Sequence, residues 1–164
     1  MRSLLMAVLC GSFACASSTP ELEERRVAFR YVDLKGRRQT LGALRGQAVL
    51  VHVMATWSDP ALLEVPLLSE MSRVFQGRLE VLAMVVDQDP RPAGLFAQAF
   101  EVPYRVGRPE DIEAFLSEDG PFGPVSQLPT SFVLDASGRV RARNDGTWVP
   151  RQLKSVLLAV VPKS

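Results

Sequence analysis

Two runs of apolar residues, AVLVHVMA at 48–55 and LEVLAMVVD at 79–87, constrain the fold of this chain most strongly. Such a run is typical of a central strand whose two faces are both covered. Between the two runs, residues 60–75 repeat apolar side chains at spacings of three and four, which predicts a helix. Strands that alternate with helices indicate an α/β sheet with helices on both faces.

The helix predicted at 60–75 has one apolar face and contains a proline. Pro66 lacks an N–H and its ring crowds the preceding turn, so we expect a kink there. Glu64 and Ser69 fall outside the apolar face. The residues predicted to form that face are Leu63, Leu67, Met71, Val74 and Phe75.

The segments before and after this centre extend the same pattern. VAFRYVDL at 27–34 alternates apolar and polar positions, and with the turn at Lys35-Gly36 it predicts an N-terminal β-hairpin with RRQTL. The C-terminal part predicts a second hairpin around the ASG turn at 136–138. The other predicted elements are a helix at 89–100, a strand at 102–106, a helix at 109–120 that begins at Pro109, strands at 130–135 and 139–144, and a closing helix at 150–161.

The N-terminal sixteen residues have the layout of a secretory signal. A basic start, MRS, precedes the apolar stretch at 4–14, which is too short to span a bilayer, and small residues follow. Two processing routes remain open: cleavage after Ala16, or lipid attachment at Cys15 as in bacterial lipoproteins. We therefore expect an exported protein, soluble in the periplasm or anchored at Cys15.

Charge and cysteine content exclude several classes of function. The net charge is +1, so the chain lacks the positive excess that binds nucleic acid or an anionic membrane, and a membrane contact is expected only through a lipid anchor. Cys10 and Cys15, the two cysteines, both lie in the signal segment, so the mature protein has no free thiol and no internal disulfide. After the polar segment at 17–26, the length and composition predict one domain at 27–164.

Three segments in register resemble the thioredoxin-like superfamily, and within it the TlpA/ResA-type redoxins. FRYVDLKGRRQTLGALRGQAVLVHVMATW is similar to the hairpin and first central strand of that family, and LPTSFVLDASGRV is similar to its cis-proline loop, with Pro129 in the cis-proline position. WSDPALLEVP matches the Trp-Cys-x-Pro-Cys motif and the kinking proline that follows it. The resemblance implies a thioredoxin-like fold: a mixed central sheet with helices on both faces and an N-terminal hairpin extension.

The chain departs from that family at both cysteine positions. In the family, the first cysteine lies at a helix N-terminus that favours its thiolate, and the second resolves the mixed disulfide. Here Ser58 and Ala61 occupy these two positions. A hydroxyl and a methyl group form no redox couple, so we expect no thiol-disulfide exchange.

Other chemistry at this motif lacks the groups that it requires. Ser58 is predicted as a helix N-cap whose side chain accepts a hydrogen bond, and Asp59 adds a favourable charge in the first turn. His52 lies where thioredoxins carry a buried acid, and we interpret it as a satisfied core residue. With one histidine and no mature cysteine, the sequence predicts no metal site and no cofactor.

Three hypotheses about function remain. The first is a redox-inactive module that binds a protein or peptide partner in the bacterial envelope, through a groove between the degenerate turn and the cis-proline loop. The second is an enzyme with replaced chemistry or dependent on a partner's thiols, and the third is a structural envelope lipoprotein. The resemblance places the groove at Trp57, Ser58, Asp59, Pro60, Leu128, Pro129 and Thr130.

Overall fold

The computed structural model describes residues 26–163. The predicted signal segment with Cys15, and all of the polar segment except Arg26, lie outside the described residues. The strands are β1 (Arg30–Asp33), β2 (Arg38–Thr40), β3 (Ala48–Met54), β4 (Leu79–Val85), β5 (Arg105–Pro109), β6 (Thr130–Leu134) and β7 (Val140–Asp145). The helices are α1 (Asp59–Leu63), α2 (Val65–Val74), α3 (Arg91–Ala99), α4 (Ile112–Leu116) and α5 (Pro150–Val160), with a 3-10 helix at Leu41–Leu44.

The strands form one mixed sheet in the order β2-β1-β5-β4-β3-β6-β7. β4 pairs in parallel with both β3 and β5, and the other neighbouring strands are antiparallel. β1 and β2 form the predicted N-terminal hairpin, with Arg30 opposite Thr40. The predicted fold class, a mixed α/β sheet with a hairpin at its N-terminal end, is confirmed.

The two apolar runs form the central strands β3 and β4, and every residue of β3 is buried. Alternate side chains of a strand point to opposite faces of the sheet. Leu50 and Met54 join a core cluster with side chains of α1, α2, α3 and α5. Val49 and Val51 join a second cluster with Phe115 of α4 and the 3-10 helix. The prediction of helices on both faces is therefore confirmed.

The helix predicted at 60–75 divides at Glu64 into α1 and α2. Pro66 lies in the first turn of α2, where a missing N–H leaves no helical bond unmade. The apolar face predicted for one continuous helix is therefore wrong at Leu63 and Val74, whereas Met71 and Phe75 are buried as predicted. Leu63 and Val74 are exposed, whereas the buried residues of the two helices are Ala61, Val65, Leu68, Ser69 and Met71.

The predicted boundaries of β5 and α4 are also wrong. The strand predicted at 102–106 begins at Arg105 and continues to Pro109, which lies opposite Tyr31 of β1. Pro109 therefore ends a strand instead of starting a helix. α4 begins after Asp111, whose carboxylate accepts a hydrogen bond of 2.9 Å from the Ala114 N–H. This N-cap places the helix start two residues later than the proline suggested.

The sheet has two edge strands of different kinds. β2 has three residues, whereas β7 has six and carries ion pairs from Arg141 to Asp135 and from Arg143 to Asp145. Among residues 26–163, no helix is long and apolar enough to cross a bilayer.

Candidate functional site

The degenerate turn lies where β3 ends. The residue that leads into the turn, Thr56, is held by Asp87, a buried residue just after β4. The Asp87 carboxylate accepts hydrogen bonds from the N–H and the hydroxyl of Thr56. Trp57, the next residue, is 74% exposed. Asp59 and Pro60 are also exposed, whereas Ala61 is fully buried in the core cluster on the α2 side. In this turn the indole ring of Trp57 and the start of α1 are therefore exposed to solvent, whereas the methyl group of Ala61 is buried.

Ser58 occupies the N-cap position of α1, but the predicted side-chain cap is wrong. Its hydroxyl makes no capping hydrogen bond, although its backbone carbonyl accepts the N–H of Leu62 at 3.1 Å. An N-cap side chain bonds to the second or third N–H of the helix, and Pro60 at the second position has none. The helix start is thus held by the backbone and by Pro60.

The cis-proline loop lies beside this turn. Thr130 of β6 pairs with Val53 of β3, so the residues preceding β6 and those following β3 meet at the same edge of the sheet. The Leu128–Pro129 bond is cis, the isomer that the resemblance implies. The carbonyl of Pro129 accepts the N–H of Gly146 at 2.7 Å.

The predicted groove residues of this loop differ in accessibility. Leu128 is half-buried, and within residues 26–163 its backbone N–H and carbonyl form no hydrogen bond. Pro129 and Thr130 are buried, and the Thr130 hydroxyl lies 2.9 Å from the Gln127 carbonyl and 3.0 Å from the Asp145 carboxylate. The hydroxyl of Thr130 therefore holds the loop in place. In Leu128, by contrast, the backbone N–H and carbonyl are available for hydrogen bonds.

Two exposed apolar side chains extend the surface beyond the predicted groove. Leu63 at the end of α1 is 78% exposed, and Val149 before α5 is 51% exposed. Their neighbours in sequence are joined, because the carboxylate of Glu64 accepts the backbone N–H of Trp148. This hydrogen bond joins the residue that follows Leu63 to the residue that precedes Val149. Neither was predicted, because helical periodicity assigned Leu63 to the core.

Beneath the turn lies a set of buried polar groups, which we call the buried polar layer: His52, Glu64, Tyr104, Ser131 and Trp148. His52 Nδ1 lies 3.0 Å from the hydroxyl of Ser131 and 3.7 Å from Glu64 Oε2. His52 is fully buried and Glu64 is 3% exposed. Glu64 was not among the predicted site residues, because in one continuous helix at 60–75 it lies outside the apolar face.

His52 is only partly satisfied, which corrects the prediction of a satisfied core histidine. Within the described residues, His52 Nε2 and Glu64 Oε2 have no hydrogen-bond partner, and neither have the Tyr104 hydroxyl and the Trp148 indole N–H. These four atoms are among six such buried side-chain atoms in residues 26–163. The unmet hydrogen-bonding capacity is thus concentrated in the buried polar layer.

Burial also shifts the titration of this layer. Desolvation lowers the pKa of His52 to about 4. Desolvation raises the pKa of Glu64, against the opposing effect of the hydrogen bond from Trp148. Burial and the nearby charge of Glu64 both raise the pKa of Tyr104. Each shift favours the uncharged form of its group.

Comparison with curated proteins finds similarity to ResA proteins, and no family model matches the chain. The thiol-disulfide oxidoreductase ResA of Geobacillus thermodenitrificans is 29% identical over 133 residues, which cover 79% of this chain and 72% of that protein. The thiol-disulfide oxidoreductase ResA of Bacillus cereus is 24% identical over 170 residues, covering 98% of this chain and 95% of the relative.

Solved structures give the same fold at low sequence identity. The thioredoxin domain of a thiol-disulfide oxidoreductase from Bacteroides vulgatus matches with a TM-score of 0.73 and 15% identity, over 84% of this chain and 96% of that one. StoA from Bacillus subtilis matches with a TM-score of 0.63 and 17% identity, over 80% and 97%. The predicted thioredoxin-like architecture is therefore confirmed.

Proposed function

Because this chain is a thioredoxin-like protein of the TlpA/ResA type, we propose that it is a redox-inactive module of the bacterial envelope that binds an extended peptide segment of a partner protein. The binding surface consists of Trp57, Leu63, Leu128 and Val149. The observation that carries the proposal is an exposed indole beside two positions that have no sulfur.

The first support is chemical. Thiol-disulfide exchange requires a thiolate that attacks and a second thiol that resolves the mixed disulfide. Ser58 and Ala61 supply neither, and the cysteines of the chain lie in the segment at 1–16. The chain retains the turn of an oxidoreductase without the groups for its reaction.

The second support is the exposure of apolar side chains. A tryptophan side chain has a large apolar area, and exposed aromatic residues are enriched at binding surfaces. Trp57 could have packed into the fold as scaffold, but 74% of it is exposed. Leu63 and Val149 add apolar area in the same region. Such a patch is typical of a contact site for another protein.

The third support is the free backbone of Leu128. An extended peptide binds along an exposed edge through main-chain hydrogen bonds, and pockets between side chains give specificity. Leu128 has both an N–H and a carbonyl to offer, and it lies next to the turn. Peptide docking of this kind requires no sulfur and no cofactor.

The remaining part of the proposal concerns location. We place the protein in the periplasm, exported through the segment at 1–16, either free after cleavage or anchored by a lipid on Cys15. Radiolabelled palmitate incorporation that is lost in Cys15→Ala identifies the anchored form. Cleavage after Ala16 without label identifies the free form.

Peptide binding is tested with a display library of short unstructured peptides selected on the mature protein and measured by calorimetry. We expect Trp57→Ala and Leu128→Glu each to weaken a selected peptide by about tenfold or more. The matched control is Leu34→Ala, which removes an exposed leucine from the β1–β2 turn at the other end of the sheet. Equal binding by Trp57→Ala and the control would move the contact to another face.

Redox inactivity is tested separately with the same protein. We expect no reduction of insulin disulfides above the rate of dithiothreitol alone. Turnover by the wild-type protein would contradict the proposal whatever the peptide measurements show.

A further inference from the structure

We infer that Glu64 and His52 form a buried proton-binding pair whose protonation releases the backbone of Trp148. The inference concerns the free chain and does not rest on peptide binding. It starts from a geometric fact: Glu64 Oε2, which has no hydrogen-bond partner in the described structure, lies 3.7 Å from His52 Nδ1. A proton bound at Oε2 would let this oxygen donate towards His52 Nδ1, which otherwise lies 3.0 Å from the Ser131 hydroxyl.

Every element around the pair contributes neutral groups. Ser131 faces His52 from β6, Ala83 lies opposite it on β4, and Tyr104 and Trp148 complete the surroundings of Glu64. Within residues 26–163, no lysine, arginine or aspartate makes an ion pair or hydrogen bond with either member of the pair. The charge of the pair is therefore not compensated from outside.

This isolation favours one protonation state. With no proton the pair has a charge of about −1, with two it has about +1, and with one it is neutral. Burial disfavours both charged states. It acts in the directions already described, raising the pKa of Glu64 and lowering that of His52, and so widens the pH range of the singly protonated pair.

Proton uptake has a structural consequence because the other carboxylate oxygen, Oε1, accepts the backbone N–H of Trp148. A hydrogen bond to a carboxylate is stronger than one to a neutral carboxyl group. When a proton from solvent binds at Oε2 and bridges to His52 Nδ1, the charge that strengthens the Trp148 bond is lost.

The released segment is connected to the surface described above. Trp148 lies between Gly146, whose N–H donates to the Pro129 carbonyl, and exposed Val149. Residues 146–149 thus connect the buried pair to the cis-proline loop at one end and to the start of α5 at the other. Acidification therefore loosens this segment from the buried side.

Nuclear magnetic resonance of the ligand-free protein between pH 4 and pH 8 tests the inference. His52 is the one histidine of the chain, so its imidazole ¹⁵N signals need no variant for assignment. We expect the Glu64 carboxyl to titrate above its ordinary pKa of 4.5, and the His52 Nδ1 signal to move at the same midpoint. The protection of the Trp148 amide against hydrogen exchange should fall about tenfold at that midpoint.

Glu64→Gln provides the variant, since its amide oxygen accepts the Trp148 N–H at every pH. Its Trp148 protection should not change between pH 8 and pH 5. Glu70→Gln, which changes an exposed glutamate of α2, should keep the wild-type transition.

Three results would overturn the inference: a Glu64 midpoint at or below the ordinary value, a His52 signal that does not respond at that midpoint, or constant Trp148 protection in the wild-type protein. Because all three are read in the wild-type chain, the test stands even if Glu64→Gln does not fold.

Discussion

The turn at 57–61 and the buried polar layer beneath it differ in the kind of side chain that they contain. The turn carries a serine and an alanine in positions where the family uses cysteines, and the chain that leads into it is held by the hydrogen bonds from Thr56 to Asp87. The layer beneath carries ionisable side chains without access to solvent. The turn thus forms with a serine and an alanine at the two cysteine positions, whereas unmet hydrogen-bonding capacity lies in the layer below it.

The largest effect is expected when cysteines are introduced at both positions of the turn. In a chain from residue 17, Ser58→Cys with Ala61→Cys should form a disulfide, because a helix start places the two positions within bridging distance. Closing this short loop stabilises the oxidised form by about 2 kcal/mol. We expect insulin reduction to rise from background to measurable turnover. Thiol titration showing two free cysteines under oxidising conditions would show that the turn does not have the expected shape.

Removing a group from the buried polar layer should have the next largest effect. Glu64→Ala leaves the Trp148 N–H buried without an acceptor and opens a cavity, which together cost about 3 to 4 kcal/mol of unfolding free energy. Urea unfolding followed by circular dichroism measures this loss. Glu70→Ala, an exposed position on α2, should change stability by less than about 0.5 kcal/mol. Equal losses in the two variants would remove the distinction between layer and surface.

The pH dependence of stability tests the layer without a cavity. His52 has a folded pKa of about 4 against 6.5 unfolded, so its contribution is present above pH 6.5 and is lost as the pH falls through 4. The loss amounts to about 3 kcal/mol. Glu64 acts with the opposite sign: its raised pKa gives a contribution that is present below 4.5 and is lost as the pH rises through the folded value.

His52→Asn isolates the histidine part. The variant should lose less stability than the wild type between pH 7 and pH 4, and the surface carboxylates cancel in the difference. Superimposable curves for the two proteins would mean that His52 does not titrate as a buried group.

The smallest effect is expected at the turn. Trp57→Ala should lower the unfolding free energy by less than about 0.5 kcal/mol because the side chain has few contacts to lose. The other tryptophan, Trp148, is 9% exposed, and Trp148→Ala should cost about 3 to 5 kcal/mol. A large loss from Trp57→Ala would show that the indole packs as scaffold.

Sequence patterns predicted the fold well where the periodicity was long. β3 and β4 follow from uninterrupted apolar runs, and α5 at Pro150–Val160 agrees with the closing helix predicted at 150–161. The predicted start of α4 was wrong because Pro109 was interpreted as a helix start. A proline is equally compatible with the end of a strand, where only one neighbouring strand still pairs with it. Local signals could not decide between these, since the deciding contact with Tyr31 comes from a distant strand.

The site was predicted in part. The cis Leu128–Pro129 bond is the isomer that the motif in register implies, whereas the assignment of Trp57, Pro60 and Leu128 to a binding groove stays a prediction. Sequence patterns could not find Glu64 or the exposure of Leu63, since both follow from the break at Glu64 that divides the predicted helix into α1 and α2. Pro66 was the signal in the sequence that could have revealed this break, because a proline does not fit in the middle of a helix.

The charges on β7 affect whether two copies of this chain can pair through their edge strands. An edge strand of six residues is long enough to template pairing with a second copy, which is the first step of sheet growth between molecules. Arg141, Arg143 and Asp145 are exposed along it and engaged in ion pairs that such pairing would have to disrupt. The charged edge thus opposes sheet growth between copies of this chain.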